Sequence, residues 1–252
     1  MSVLRRFSVN RVLGVLQGGS SRPLLVESDA GRFVLKLVGG PEGPRALAAE
    51  WIGTSIAALA GLPTLELVAL ELDPALAVAF IDSELREFTE RGAGLCLGVR
   101  ELRGATPALA RDLEHADDDF AMRILWVDVL LQNPDRRREN PNILRHGHAL
   151  VAIDHASAIP FHHDWLVTEA SPGADLAPPV THLFAARAAE LRQWHHRLRP
   201  LVTREALLAV CQDLPEEWLG ALSFETPARQ RQAYAAYLWK RLQAMDRLWH
   251  GA

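Results

Sequence analysis

Residues 130–144, LLQNPDRRRENPNIL, set a polar, proline-punctuated loop between two apolar runs. Upstream, Phe120 to Leu131 (FAMRILWVDVLL) reads as a buried helix. Downstream, Asn142 to Leu144 and Ala149 to Ile153 are short apolar pieces separated by Arg145-His146-Gly147-His148, a hairpin signal. The second arm stops at Asp154. Asp135 and Asn140 are therefore expected in a loop after a helix, and Asp154 at the end of a strand that returns to that loop.

Taken singly, Asn-Pro-Asp is a turn and Asp154 a strand terminator. Taken together, two carboxylates and a carboxamide converging on one loop suit metal-assisted phosphoryl transfer. Mg²⁺ takes hard oxygen ligands, commonly one or two carboxylates with phosphate oxygens and water. A further carboxylate is needed to orient an attacking hydroxyl or accept its proton. This reading requires a nucleotide site in the first half of the chain.

Composition limits the alternatives. With 252 residues and 49% hydrophobic content, the chain can bury a sizeable core as one domain or two lobes. A net charge of −4 argues against general nucleic-acid binding. Cys96 and Cys211 are far apart and outside any metal-ligand spacing, which suggests a reducing compartment. No apolar run approaches the roughly 18 residues of a membrane span. The chain reads as soluble and cytoplasmic. Of its 27 basic residues only Lys36 and Lys240 are lysines, so each stands out where arginine has otherwise replaced it.

The first hundred residues read as strand (5–16), the turn Gln17-Gly18-Gly19-Ser20-Ser21, strand (22–27), a turn at Ser28–Gly31, and strand (32–37). A glycine-rich turn lets backbone N–H groups approach phosphate oxygens, although most such turns are hairpin tips. Lys36, on the third strand, would point at the same phosphates, or else into solvent. Arg45 to Leu59 reads as a helix stopped by Gly61-Leu62-Pro63. Its Glu50 either pairs with Lys36 or is solvated. Thr64–Leu70 and Ala75–Ile81 read as a hairpin about Asp73-Pro74, and Leu95–Val99 as a strand. A lobe boundary is expected near Leu102.

Beyond it, Ala108–His115 reads as a short helix. Asp117-Asp118-Asp119 reads as a cap for the helix that follows rather than as a metal site. Helices are expected over 183–198, 203–212, 215–222 and 227–250, anchored by Trp194, Trp218, Trp239 and Trp249. The histidine pairs 146/148, 162/163 and 195/196 lack a further ligand at metal spacing and read as solvated or supporting groups.

Asn133, Asp135, Arg136 and Asn140, as Asn-x-Asp-Arg-x-x-x-Asn, resemble the catalytic loop of HipA-like kinases. The tail Asn-Pro-Asn-Ile-Leu and Ala-Ile-Asp-His at Asp154 resemble the small, stand-alone members of that family. Gly18-Gly19-Ser20-Ser21, Phe33-Val34-Leu35-Lys36 and Glu50 fall in family order, so the resemblance spans roughly residues 10–160.

It implies an α+β, bilobal, protein-kinase-like fold with a β-rich N-lobe (1–102) and a mostly helical C-lobe (103–252). It also implies ATP and Mg²⁺ as cofactors. By position, Asp135 resembles the catalytic carboxylate, Asn140 and Asp154 the Mg²⁺ ligands, Lys36 the phosphate-contacting lysine and Glu50 its helix partner. Gly18, Gly19, Ser20 and Ser21 resemble the phosphate loop, in which one serine is a candidate for self-phosphorylation. The stretch Val99 to Leu102, Glu101 included, resembles the adenine-binding hinge. His155 and Ala156 depart from the Phe-Gly that follows the metal-binding Asp in ordinary protein kinases.

The expected activity is transfer of the ATP γ-phosphoryl to a hydroxyl, on a protein or on a small molecule. An ATP-binding pseudokinase and a non-nucleotide interaction module are the alternatives, with neither membrane nor nucleic acid as a partner.

Overall fold

The computed structural model describes residues 3–16, 22–163, 172–221 and 225–250. The chain falls into two compact units. The first comprises Met1–Ala48, Leu65–Arg103 and Asp213–Ala221. The second comprises Ala49–Thr64, Gly104–Gln212 and Leu222–Ala252.

The first unit is built on a closed five-stranded barrel: β1 (Arg6–Val15), β2 (Leu24–Ser28), β3 (Gly31–Lys36), β4 (Leu67–Leu72) and β5 (Gly94–Arg100), in the order β1-β2-β3-β5-β4. A parallel pairing of β1 with β4 closes it, and the other pairings are antiparallel. Alternation along the strands sends Val26, Phe33, Leu35, Val68, Leu70 and Cys96 into a common core. Gly98 lets Leu70 pack closely there, since a Cβ would lie 2.5 Å from Leu70 Cδ1 and force it to shift. Period-two geometry puts Lys36 on the opposite face with Val34, which pairs with Val99. That face is half-buried and carries Arg32 and Lys36 on either side of Val34.

Helix α1 (Pro44–Leu59) passes from the first unit into the second at Ala48–Ala49. The expected strand over 75–81 is instead a 3₁₀ turn, Pro74–Ala79. Asp73 caps it by accepting from the Ala75 N–H at 2.8 Å, and Pro74 takes the first helical position, so Asp-Pro starts a helix rather than turning a hairpin. The charged stretch after it forms α2 (Ser83–Gly92), capped by Asp82. Trp218, returning from far along the chain, donates its indole N–H to Leu95 O at 2.7 Å.

The second unit surrounds α4 (Asp118–Leu131), in which eleven of fourteen residues are buried. Asp117 caps it through the Phe120 N–H at 2.7 Å, and Asp118 and Asp119 occupy its first turn, as the acidic run implied. At its other end Gln132 adopts a left-handed conformation (φ 53°). Buried Arg241 of α7 (Pro227–His250) donates to Leu130 O at 2.8 Å, a carbonyl the helix end leaves open, and to Val129 O at 2.7 Å, which also accepts the Gln132 N–H. The expected hairpin is β7 (Ile143–His146) and β8 (Ala149–Ala152), turning at Gly147, with β6 (Thr106–Pro107) beside β7. Helix α3 (Ala110–Glu114) precedes α4.

Two expected helices are shortened. Residues 183–198 divide into a 3₁₀ segment, Ala185–Glu190, and α5 (Leu191–Leu198), and among the described residues of 215–222 only Glu216–Trp218 is helical. Thr203 caps α6 (Arg204–Gln212). Of the histidine pairs, 146/148 is exposed, while one member of each of the other two is a buried supporting group. His162 is fully buried and bonded to Tyr234 Oη. His195 is fully buried, accepting the Trp126 indole N–H at Nδ1 (3.0 Å) and facing Asp246 with Nε2 (2.9 Å). Among the described residues no helix is long and apolar enough to cross a membrane.

Candidate active site

The loop after α4 is fixed from below by an acid that the helix buries. Asp128, 2% exposed, accepts from Asn133 Nδ2 at 2.9 Å on Oδ1, and from Arg136 Nε at 2.5 Å and His182 Nε2 at 3.1 Å on Oδ2. Burial pushes the Asp128 carboxyl upward, but the Arg136 charge and the His182 hydrogen bond outweigh it and hold the group well below the usual carboxylate range. The Phe184 N–H donates to His182 Nδ1 at 3.1 Å, so that nitrogen carries no proton and His182 is the neutral Nε2–H tautomer.

Arg136 extends the anchor. With no exposure, it donates through Nη1 to Pro141 O at 3.0 Å and Asn142 O at 2.7 Å, and lies 3.5 Å from Ile153 O. One guanidinium thus ties the loop that carries Asp135, the start of β7 and the residue before Asp154. The Ile153 N–H also donates to Asn142 O at 3.0 Å. Asp154 leaves β8 with φ 58°, a turn out of strand geometry at the residue expected to hold metal.

Asp135 sits half-buried above this anchor. Asn133 Oδ1 accepts its N–H at 3.1 Å. Reciprocal backbone bonds between Arg137 and Asn140, at 3.1 and 3.2 Å, fold the loop back so that Asn140 Nδ2 reaches Asp135 Oδ2 at 2.8 Å. Asn142 Nδ2 reaches the same oxygen at 3.2 Å, and Arg137 Nη2 reaches Oδ1 at 3.1 Å. The sequence-derived pair Asp135 and Asn140 is therefore in contact. Since Nδ2 of Asn140 is the donor in this contact, Oδ1 is the acceptor atom of the same carboxamide.

Glu50 is buried on α1. Its Oε2 accepts the His155 N–H at 2.8 Å, and its Oε1 accepts from Thr54 Oγ1 at 3.3 Å. Thr54 Oγ1 also lies 3.3 Å from His155 Nδ1. Gly53 makes this approach possible, because a Cβ there would stand 2.4 Å from His155 Cβ. The helix thus seats the residue that directly follows Asp154.

Lys36 ends β3 in the first unit. In the hinge stretch, Val99 lies within the sheet, and the Glu101 N–H donates to Arg32 O at 3.1 Å. Gly18, Gly19, Ser20 and Ser21 lie outside the described residues. No cluster of three His, Cys, Asp or Glu side chains among the described residues could hold a metal by itself. The donor set at the loop, a carboxamide oxygen with carboxylates, fits an ion that shares its coordination with phosphate and water.

Sequence reasoning passed over Asp128, His182 and Asn142. Asp128 had a signal, as the lone acid inside an apolar helical run. His182 had none, being 54 residues away.

A family model for HipA-like kinases matches residues 9–250. The chain belongs to the HipA-like kinase family. Membership gives this HipA-like protein a kinase-type phosphotransferase class. Its structure is similar to the crystal structure of a Helicobacter pylori proinflammatory kinase, CtkA, with a TM-score of 0.63 and 11% identity over 98% of this chain and 97% of that one. At that identity the likeness concerns the fold. No curated protein matches the HipA-like chain.

Proposed function

We propose that this HipA-like kinase transfers the γ-phosphoryl of ATP, in the presence of Mg²⁺, to a hydroxyl group on a protein. The observation that carries the reading is the Asp135 carboxylate. It is held by Asn140 and Asn142 on one oxygen and by Arg137 on the other, in a loop anchored to buried Asp128.

Residues 1–102 act as the nucleotide lobe and 103–252 as the catalytic lobe. Lys36 contacts phosphate oxygens, and the adjoining face of Val34 and Val99 takes the adenine ring. Because the Glu101 N–H is already given to Arg32, adenine's polar edge falls to the Glu101 carbonyl and the Leu102 amide. Gly18, Gly19, Ser20 and Ser21 receive phosphate oxygens on their backbone.

Asn140 Oδ1 and the Asp154 carboxylate would hold Mg²⁺, which would offset phosphate charge. Asp135 orients the acceptor hydroxyl and takes its proton as the new O–P bond forms. The bond from the γ-phosphorus to the bridging oxygen breaks, and ADP leaves. Glu50 positions Asp154 through the His155 amide. Cys96 and Cys211 are both buried and form no disulfide, and burial pushes the Cys96 thiol up to about 12.

Incubation with ATP and Mg²⁺, followed by mass spectrometry of the labelled product, tests this reading. Phosphate on a protein hydroxyl is the expected result. Label on a metabolite reassigns the acceptor, and binding without turnover makes the protein a pseudokinase. An absent ATP-dependent thermal shift makes it an interaction module.

A further inference from the structure

A cavity of about 300 Å³ opens in the second unit, lined by Ala110, Leu113 and Glu114 of α3, Arg138 of the catalytic loop, and Leu183 and Phe184. Leu113 and Phe184 are buried, so its floor is apolar, and Glu114 and Arg138 add one charge of each sign. The site described above uses none of these side chains.

Three hydrogen bonds hold the Leu183–Phe184 wall in register with that site. The Leu183 N–H donates to Arg136 O at 3.0 Å, His182 Nε2 donates to Asp128 Oδ2 at 3.1 Å, and the Phe184 N–H donates to His182 Nδ1 at 3.1 Å. Arg137 and His182 also form a short antiparallel bridge. The other wall is set by Arg138, three residues after Asp135. Three residues of chain cover no more than about 11 Å, and an extended peptide spans that in about three residues.

We propose that this cavity takes an apolar side chain, of the size of Leu, Met or Phe, from the acceptor polypeptide within about three residues of the accepting hydroxyl. The inference rests on the phosphotransfer reading above and specifies its acceptor. The cavity's continuity with the catalytic loop favours a polypeptide over a metabolite. So does the apolar surface on either side in the chain: Leu109 (52% exposed) precedes Ala110, and Val180 (95% exposed) stands two residues before His182. Glu114 and Arg138 balance each other at the rim, so the apolar side chain, and not net charge, provides selection.

The test is a positional-scanning library of serine- and threonine-containing peptides incubated with the full chain, labelled ATP and Mg²⁺, with acceptor-free ATP hydrolysis recorded alongside. The expected result is a preference of about 10-fold or more for Leu, Met or Phe at one position within three residues of the hydroxyl. Ala110→Trp, which fills the cavity from an exposed helix position, should flatten that preference while leaving acceptor-free hydrolysis unchanged. Leu113→Ala should shift the preference toward larger side chains. Peptide labelling without positional preference, or a preference that survives Ala110→Trp, overturns the docking site and leaves the kinase reading standing. Labelling of metabolites in place of every peptide also overturns it. Absence of any ATP turnover overturns both.

Discussion

Arg136 Nε lies 2.5 Å from Asp128 Oδ2, and both side chains are out of reach of solvent. The pair joins the core helix α4 to the loop that carries Asp135, and the same guanidinium holds the carbonyls of Asn142 and Pro141. A buried pair of this kind specifies geometry more than it adds stability, yet removing one partner leaves the other charged and unmatched. Asp128→Ala should therefore cost about 3–5 kcal/mol, measured by urea denaturation. A loss below about 1 kcal/mol, the range of an exposed pair, would show that the anchor is not buried as described.

The same carboxylate predicts a pH dependence. Folding lowers the Asp128 pKa, so the unfolded chain binds more protons and stability rises with pH through the acid range. The contribution is fully present above the unfolded carboxylate value of about 3.9 and is lost as pH falls through the lower folded value. Asp246 acts in the same direction: burial pushes it up, but hydrogen bonds from His195 and Arg199 hold it below the usual range. Unfolding free energy measured from pH 7 to pH 2 should stay nearly level and then fall below about pH 4. Asp128→Asn should have a shallower acid limb. Identical limbs in the two proteins would contradict the assignment.

Gly53→Ala should disturb catalysis from a distance. The added methyl meets His155 Cβ at 2.4 Å and must displace the residue after Asp154. Misplacement of a reacting group by about 1 Å can cost on the order of 10²-fold in rate. The expected result is a large fall in kcat with the protein still folded by circular dichroism. Unchanged kcat would separate the α1 seat from the metal-holding role proposed for Asp154.

Lys36→Arg retains charge but replaces a compact ammonium with a planar fork on the half-buried face beside Val34 and Val99. Turnover should fall sharply while the barrel stays intact. Wild-type turnover would make Lys36 an ordinary strand lysine.

Much of the architecture was legible because its signals are local. The apolar run of α4, its Asp117 cap and the Gly147 turn of β7–β8 each needed only neighbouring residues, and so did the Asp135–Asn140 spacing. The readings that failed depended on competition between local signals. At Asp73-Pro74 a cap and a fixed φ outweighed the apolar composition of 75–81, giving a 3₁₀ turn. The long-range groups had no local trace. His182 meets Asp128 across 54 residues, Arg241 caps α4 from α7, and the Glu50 bond to the His155 amide joins positions 105 apart. Periodicity could put Glu50 on a helix but could not show that it would support the backbone after Asp154.

The central claim is that Asp135 is the carboxylate that receives the acceptor proton, and Asp135→Asn tests it most directly. Asparagine keeps the shape and much of the hydrogen bonding to Asn140, Asn142 and Arg137, while removing charge and basicity. ATP affinity and phosphoryl transfer should be measured on the same preparation. The account predicts ATP affinity near that of the wild type and transfer reduced by about 10²–10⁴-fold. Transfer at the wild-type rate would contradict it, and so would loss of ATP binding together with activity.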